Sequence, residues 1–117
     1  MNLLEGMNAA IMYIEAHLLD NLNIKDVAKE AGCSEADVQR IFYLLTDTTI
    51  SEYVRKRRLT LAAHELQSEK ASVLELALKY GYSSPDSFTR AFKQLHHITP
   101  SMVKKGKCAS EVHLGNI

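Results

Sequence analysis

Two dipeptides in this sequence, Gln39-Arg40 and Thr89-Arg90, carry side chains suited to reading a patterned polar edge. A guanidinium presents a rigid fork of N–H donors that matches the paired acceptors of guanine. A glutamine amide pairs with adenine, and a threonine methyl meets the methyl of thymine. On a helix, positions i, i+3, i+4 and i+7 share one face. Ala36, Gln39, Arg40 and Tyr43 therefore form one candidate face, and Asp86, Thr89, Arg90 and Lys93 form a second.

Other chemistries find little support. The sequence contains no glycine-rich phosphate loop, no GxSxG elbow and no HExxH pair. Cys33 and Cys108 are far apart and lack CxxC spacing, so zinc and a disulfide framework are not expected, and both are read as reduced thiols. Cys33 has no base beside it in sequence. The adjacent rings of His96 and His97 would point to different sides of a helix, which disfavours a metal site; they are read as last-turn histidines that complement the helix dipole. His17 and His64 are assigned no role. The tyrosines are read as core or rim residues, with Tyr43 a candidate for a backbone contact. No catalytic residue, metal or cofactor is expected, and the chain is read as a binding module, not an enzyme.

The elements that must position the two faces are helices throughout. Apolar residues recur at helical spacing, and no stretch keeps the alternation of a strand. A first helix is predicted from about Asn8 to Asp20. A second follows the N-cap Asn23, has Ile24, Val27, Ala28 and Ala31 as its apolar face, and stops at Gly32. A third follows Ser34 and is expected to bury Val38, Ile41, Phe42 and Leu45. The fourth begins with the Thr49/Glu52 capping-box pattern and runs to about Gln67, with Leu59, Ala62, Ala63 and Leu66 inward. A fifth begins at the Ser72/Glu75 box, buries Val73, Leu76, Ala77 and Tyr80, and ends at Gly81. The sixth starts at Ser84-Pro85, with proline at the first helical position, and buries Phe88, Ala91, Phe92 and Leu95. A short last helix starts at Thr99-Pro100, and the tail from Gly106 loses periodicity.

The second half repeats the first. Val27-Ala28, Gly32, Ser34, Val38, Gln39-Arg40 and Phe42 correspond to Leu76-Ala77, Gly81, Ser83, Phe88, Thr89-Arg90 and Phe92. The glycines are offset by one residue less than the arginines, which makes Ser84 an insertion in this alignment. Leu45 and Thr49 match Leu95 and Thr99. Each unit reads helix, small residue, glycine turn, helix: the helix-turn-helix pattern. A plain bundle of helical hairpins is the competing reading of the repeat alone.

With 46% hydrophobic residues the chain can bury a core, and no apolar run is long enough to cross a membrane. No signal peptide is evident, so a cytoplasmic location is expected. The net charge is zero, which by itself counts against a nucleic-acid partner. Its distribution counts the other way. Residues 1–54 hold nine acidic and three basic groups, a net charge of −6, whereas residues 55–107 hold eleven basic and four acidic groups, a net charge of +7. The second half is the half suited to tracking phosphates. Arg55-Lys56-Arg57-Arg58 is its densest basic run; Arg55 and Arg58 share a face that either meets phosphates or is solvated and paired with Glu52. A rival reading makes the acidic half a docking module for a basic protein partner.

These residues resemble the AraC/XylS-type DNA-binding domain. The resemblance runs from about Met7 to Lys105. It rests on Leu59-x-x-Ala62-Ala63-x-x-Leu66, on Val73-x-x-Leu76-Ala77-x-x-x-Gly81-Tyr82, on Ser87-Phe88-Thr89-Arg90-Ala91-Phe92-Lys93 and on Thr99-Pro100. It implies an all-α fold of about seven helices: a first helix-turn-helix subdomain over 1–48, a linker helix over 49–68, a second subdomain over 69–107 and a tail over 108–117. It also implies a bacterial transcription regulator that binds double-stranded DNA, with a recognition helix from each unit in successive major grooves and RNA polymerase as a further partner. The base-reading candidates are Ala36, Gln39, Arg40, Asp86, Thr89 and Arg90. The phosphate candidates are Ser34, Tyr43, Arg55, Arg58, Ser84, Lys93 and Lys104. A single chain would cover two half-sites as a monomer.

Two features depart from the family pattern. The last helix reads Pro100-Ser101-Met102-Val103-Lys104 where the family has Pro-x-x-Tyr-Arg, which weakens the assignment of Lys104. Glu35 and Asp37 stand near the start of the first recognition helix, where they either repel phosphates or serve helix capping and the dipole. The start of the predicted helices close to the first methionine, and the irregular ending Val112 to Ile117, raise the expectation of a downstream small-molecule-sensing domain in a longer chain.

Overall fold

A computed structural model of the chain describes residues 2–68 and 70–104. Within them lie seven helices and no strand: α1 (Leu3–Ala16), α2 (Ile24–Ala31), α3 (Glu35–Thr46), α4 (Ile50–Gln67), α5 (Val73–Lys79), α6 (Pro85–His96) and α7 (Pro100–Lys104). The fold is all-α, two helix-turn-helix subdomains joined by a long helix. The tail over 108–117, Cys108 and the ending from Val112 lie outside the described residues. Cys33 is a free thiol. No described helix is long and apolar enough to cross a membrane.

Helix ends follow local side-chain chemistry. Asn2, Asn23, Ser34, Ser72 and Ser84 each accept a backbone N–H from the first turn of the helix they precede. Each cap satisfies a donor that helix geometry leaves without a partner and contributes about 1 kcal/mol. At Ser72 the box is complete, because the Glu75 carboxylate accepts the Ser72 N–H in return. At Thr49 only half of it forms: the Glu52 N–H donates to Thr49 Oγ1 at 3.1 Å, while the Glu52 carboxylate lies on the Thr48 hydroxyl. Two ends differ from expectation. α1 starts at Leu3 and ends at Ala16, because Asn2 caps it and the His17 N–H closes back on Ile14.

The chain divides into two compact units, one up to Val54 and one from Arg55 onward, so the boundary falls inside α4. In the first unit α1 packs on α2 and α3, and Ile14, Val27, Val38 and Phe42 are buried at its centre. Tyr53 meets Phe42 edge-on at 5.6 Å and donates its hydroxyl to Glu15. Leu45 is not part of this core: it is 52% exposed, and Ile41 is only half-buried. Val38 and Phe42 define the inward line of α3, and three residues beyond Phe42 the helix has turned about 60° off that line.

In the second unit Leu59, Ala62, Ala63 and Leu66 of α4 pack with Leu76, Phe88 and Phe92, all essentially inaccessible to solvent. Phe88 and Phe92 pack at a tilt with ring centroids 5.7 Å apart, and Tyr82 closes on Phe88 edge-on at 5.5 Å. His96 stands in the last turn of α6, as expected, and is fully buried. Its Nε2 lies 3.2 Å from the Leu59 carbonyl and its ring 4.5 Å from that of Phe92. His97 is the exposed member of the pair and ends α6 in the left-handed region, at φ 66°.

Candidate nucleic-acid interface

The two glycine turns are the same structure built twice. Gly32 has φ 75° and Gly81 φ 88°, values that side chains rarely adopt. Around each, two backbone bonds form the Schellman pattern: Cys33 N–H to Ala28 O at 3.1 Å with Gly32 N–H to Lys29 O, and Tyr82 N–H to Ala77 O at 2.9 Å with Gly81 N–H to Leu78 O. The chain then leaves in extended conformation into a serine cap. In the first unit that cap is Ser34, and in the second it is Ser84. This corrects the alignment read from sequence, in which Ser83 matched Ser34 and Ser84 was the insertion. The additional residue lies between Gly81 and the cap, because it is Ser84 whose Oγ accepts the Ser87 N–H.

The duplication extends past α3 and α6. Asp47 and His97, fifty positions apart, are both left-handed, and each returns its N–H at 2.8 Å to a carbonyl four residues back. Thr49 and Thr99 then cap the next helices with their hydroxyls. With the frame repeated so closely, the outward faces of α3 and α6 can be compared position by position. Ala36, Gln39, Arg40 and Tyr43 are all exposed on α3; Asp86, Arg90 and Lys93 are exposed on α6, with Thr89 half-buried. Each helix thus turns its core line inward and leaves the predicted polar face uncovered.

The two arginines differ in what holds them. Arg40 Nη2 lies 2.6 Å from Asp37 Oδ1, one turn earlier on the same face. Arg90 has no ion-pair partner among the described residues, and Ser87, the counterpart of Asp37, turns its hydroxyl back to Ser84. The carboxylate of Asp37 therefore does more than sit near the helix start: its N–H is capped by Ser34 and its side chain binds Arg40. The i, i+3 spacing was the available signal.

The basic run of α4 belongs to the second turn. A Cβ built on Gly81 would stand 3.9 Å from Arg58 Nη1. Burial pushes the Tyr82 hydroxyl up, and the nearby cations of Arg55 and Arg58 pull against it. Arg55 and Arg58 thus flank the α5–α6 turn, a placement that the shared helix face hinted at but could not locate. Other charges are committed to structure. Glu65 holds both Lys79 and the Tyr80 hydroxyl, and burial, with Glu65 behind it, raises the Tyr80 pKa. Lys104 donates to the Ala71 carbonyl at 2.6 Å and ties α7 to the segment before α5. No group of three metal-ligating side chains occurs among the described residues.

The helix-turn-helix domain family matches residues 27–106, which takes in both turns and both exposed helices. The chain belongs to the AraC/XylS-type family. Members of this family are DNA-binding transcription regulators. The chain is 43% identical to the transposon Tn10 TetD protein of Escherichia coli, over 83% of this chain and 70% of that protein. It is 41% identical to the regulatory protein SoxS of Salmonella typhimurium, over 78% and 85% of the two chains. Among solved structures it is similar to an AraC-type transcriptional regulator from Chromobacterium violaceum, with TM-score 0.79 and 27% identity over 86% of this chain and 89% of that one. In AraC/XylS terms, α3 and α6 are the second helices of the two helix-turn-helix motifs, and α4 is the helix that joins them.

Proposed function

We propose that this chain is a sequence-specific regulator that binds double-stranded DNA with α3 and α6 in successive major grooves. The carrying observation is the repeated frame: two capped helices, each following a Schellman turn, that leave a Gln-Arg or Thr-Arg face uncovered. In this reading Ala36, Gln39 and Arg40 meet base edges in one groove, and Asp86, Thr89 and Arg90 do so in the next. Ser34 caps through its hydroxyl oxygen, which leaves its O–H to donate to a phosphate; Ser84 caps in the same way, and its O–H, which meets Ser87 Oγ at 3.2 Å in the free chain, turns to a phosphate on binding. Arg55, Arg58 and Lys93 supply cations around the second turn, and Tyr43 and Lys104 add contacts at the edges. The function lies in binding and in a partnership with RNA polymerase in the cytoplasm, not in catalysis.

Selection from a random duplex library tests this reading. Two enriched half-sites about one helical turn apart are expected, because successive grooves on one face of DNA lie ~34 Å apart. Enrichment of no sequence at low salt would support a protein-docking module instead. Four cationic side chains on phosphates predict a slope of about −3.6 for the logarithm of affinity against that of salt concentration. Fluorescence anisotropy across a salt series measures it, and a flat response contradicts the phosphate assignments.

A further inference from the structure

We infer that Asp37 is the specificity-determining residue of the first unit, acting as a positioning group that holds Arg40 for base reading and away from phosphates. The inference rests on the DNA-binding reading above. Its basis is the 2.6 Å pair between Arg40 Nη2 and Asp37 Oδ1 on the exposed face of α3, with side chains 64% and 44% exposed.

Asp37 is itself well anchored. Its N–H donates to Ser34 Oγ at 3.0 Å, and its carboxylate sits in the first turn, where the helix dipole favours negative charge. The backbone at Asp37 is held, its carboxylate projects from the first turn, and the guanidinium pairs with it. One N–H of Nη2 is taken by Asp37. Arg has five donors, so an edge of the fork remains for the paired acceptors of guanine. A free arginine on a binding face can swing to any phosphate, which adds affinity without sequence information. A tethered one gains less from that alternative, and the Asp37 charge repels phosphate oxygens directly.

The second unit serves as an internal comparison. At the place of Asp37 it carries Ser87, whose hydroxyl is occupied with Ser84, and Arg90 has no carboxylate partner among the described residues. The same frame thus presents one tethered and one untethered arginine. An exposed pair of this kind is worth about a two- to fivefold bias in side-chain population, enough to direct Arg40 without locking it.

The test uses the full chain. Selection with wild type and with Arg40→Ala identifies the base pair at which Arg40→Ala relaxes preference. Anisotropy titrations then compare the selected duplex, the same duplex changed at that pair, and a random duplex. Asp37→Asn is expected to bind the random duplex about threefold more tightly. It should also lower the selected-to-random ratio, and the discrimination at that base pair, by threefold or more. In an Arg40→Ala background the same substitution should leave both ratios unchanged, since loss of a repulsive charge alone raises all affinities together. Asp37→Ser, the residue of the second unit, should reproduce Asp37→Asn, and thermal circular dichroism checks that both variants fold. Unchanged ratios in Asp37→Asn and Asp37→Ser, ratios that fall equally without Arg40, or no position relaxed by Arg40→Ala would each overturn the inference. A wild type that prefers no duplex overturns the DNA-binding reading itself, and this inference with it.

Discussion

Phe92→Ala is expected to lower the melting temperature of the second unit by roughly 12 °C or more. Phe92 is inaccessible to solvent and stands between the rings of Phe88 and His96. Truncation of such a phenylalanine costs about 3–5 kcal/mol, partly lost transfer energy and partly the cavity left behind. In a domain of this size each 1 kcal/mol shifts the midpoint by about 4–8 °C. The surrounding side chains have little room to collapse, because Leu59, Ala62 and Leu66 are held in register by α4. A core loss of this size is a large share of the ~5–15 kcal/mol that holds a typical domain. The same variant should leave the Phe42–Tyr53 cluster of the first unit folded, visible as a retained tyrosine signal in near-ultraviolet circular dichroism. A shift of only 2–3 °C would mean that the void refills, against the packing described.

Where the sequence was legible, the deciding chemistry was local. Asn23, Ser34, Ser72 and Ser84 were readable as caps because a cap is a side chain reaching its own first turn, and Gly32 and Gly81 were readable because only a left-handed residue makes that turn. The inward faces of α4 and α6 followed from period and residue type. Leu45 was misread because periodicity gives a stripe but not how wide a cover lies over it. The burial of His96 was missed although its position carried a signal: it falls four residues after Phe92, which falls four after Phe88, so it extends a buried line. Its neighbour His97, one helical step round, ended the helix instead. The offset of the repeat was misread although Pro85 at the first helical position already marked Ser84 as the cap: the alignment was drawn on the glycines and placed the insertion one residue late. The Asp37–Arg40 pair was within reach of spacing alone, but the same spacing also served the dipole reading, and geometry was needed to choose.

Arg90→Ala is expected to weaken binding to the selected duplex by about five- to a hundredfold, and Arg40→Ala by less. A bidentate arginine–guanine pair is worth about 1–3 kcal/mol, and at 1.4 kcal/mol per decade this gives the range for Arg90. Arg90 has no ion-pair partner among the described residues and lies in the half of the chain with a net charge of +7 over residues 55–107, so removing it deletes an available cation from the attractive half. Arg40 starts from a different state. Its guanidinium keeps the Asp37 pair while one edge of the fork meets the base, and that carboxylate offsets its charge toward phosphates, so its removal costs less affinity. It also belongs to the half with a net charge of −6, where the phosphate field is opposed by its own carboxylates. The two substitutions should therefore differ in kind: Arg90→Ala removes both a guanine contact and a cation available to any duplex, so it lowers every binding constant, most on duplexes that offer its guanine, whereas Arg40→Ala mainly blurs the choice among duplexes. Paired anisotropy titrations at one salt concentration measure both. A larger affinity loss for Arg40→Ala than for Arg90→Ala would show that the acidic unit carries the grip, and it would reverse the division of labour argued from the charge distribution.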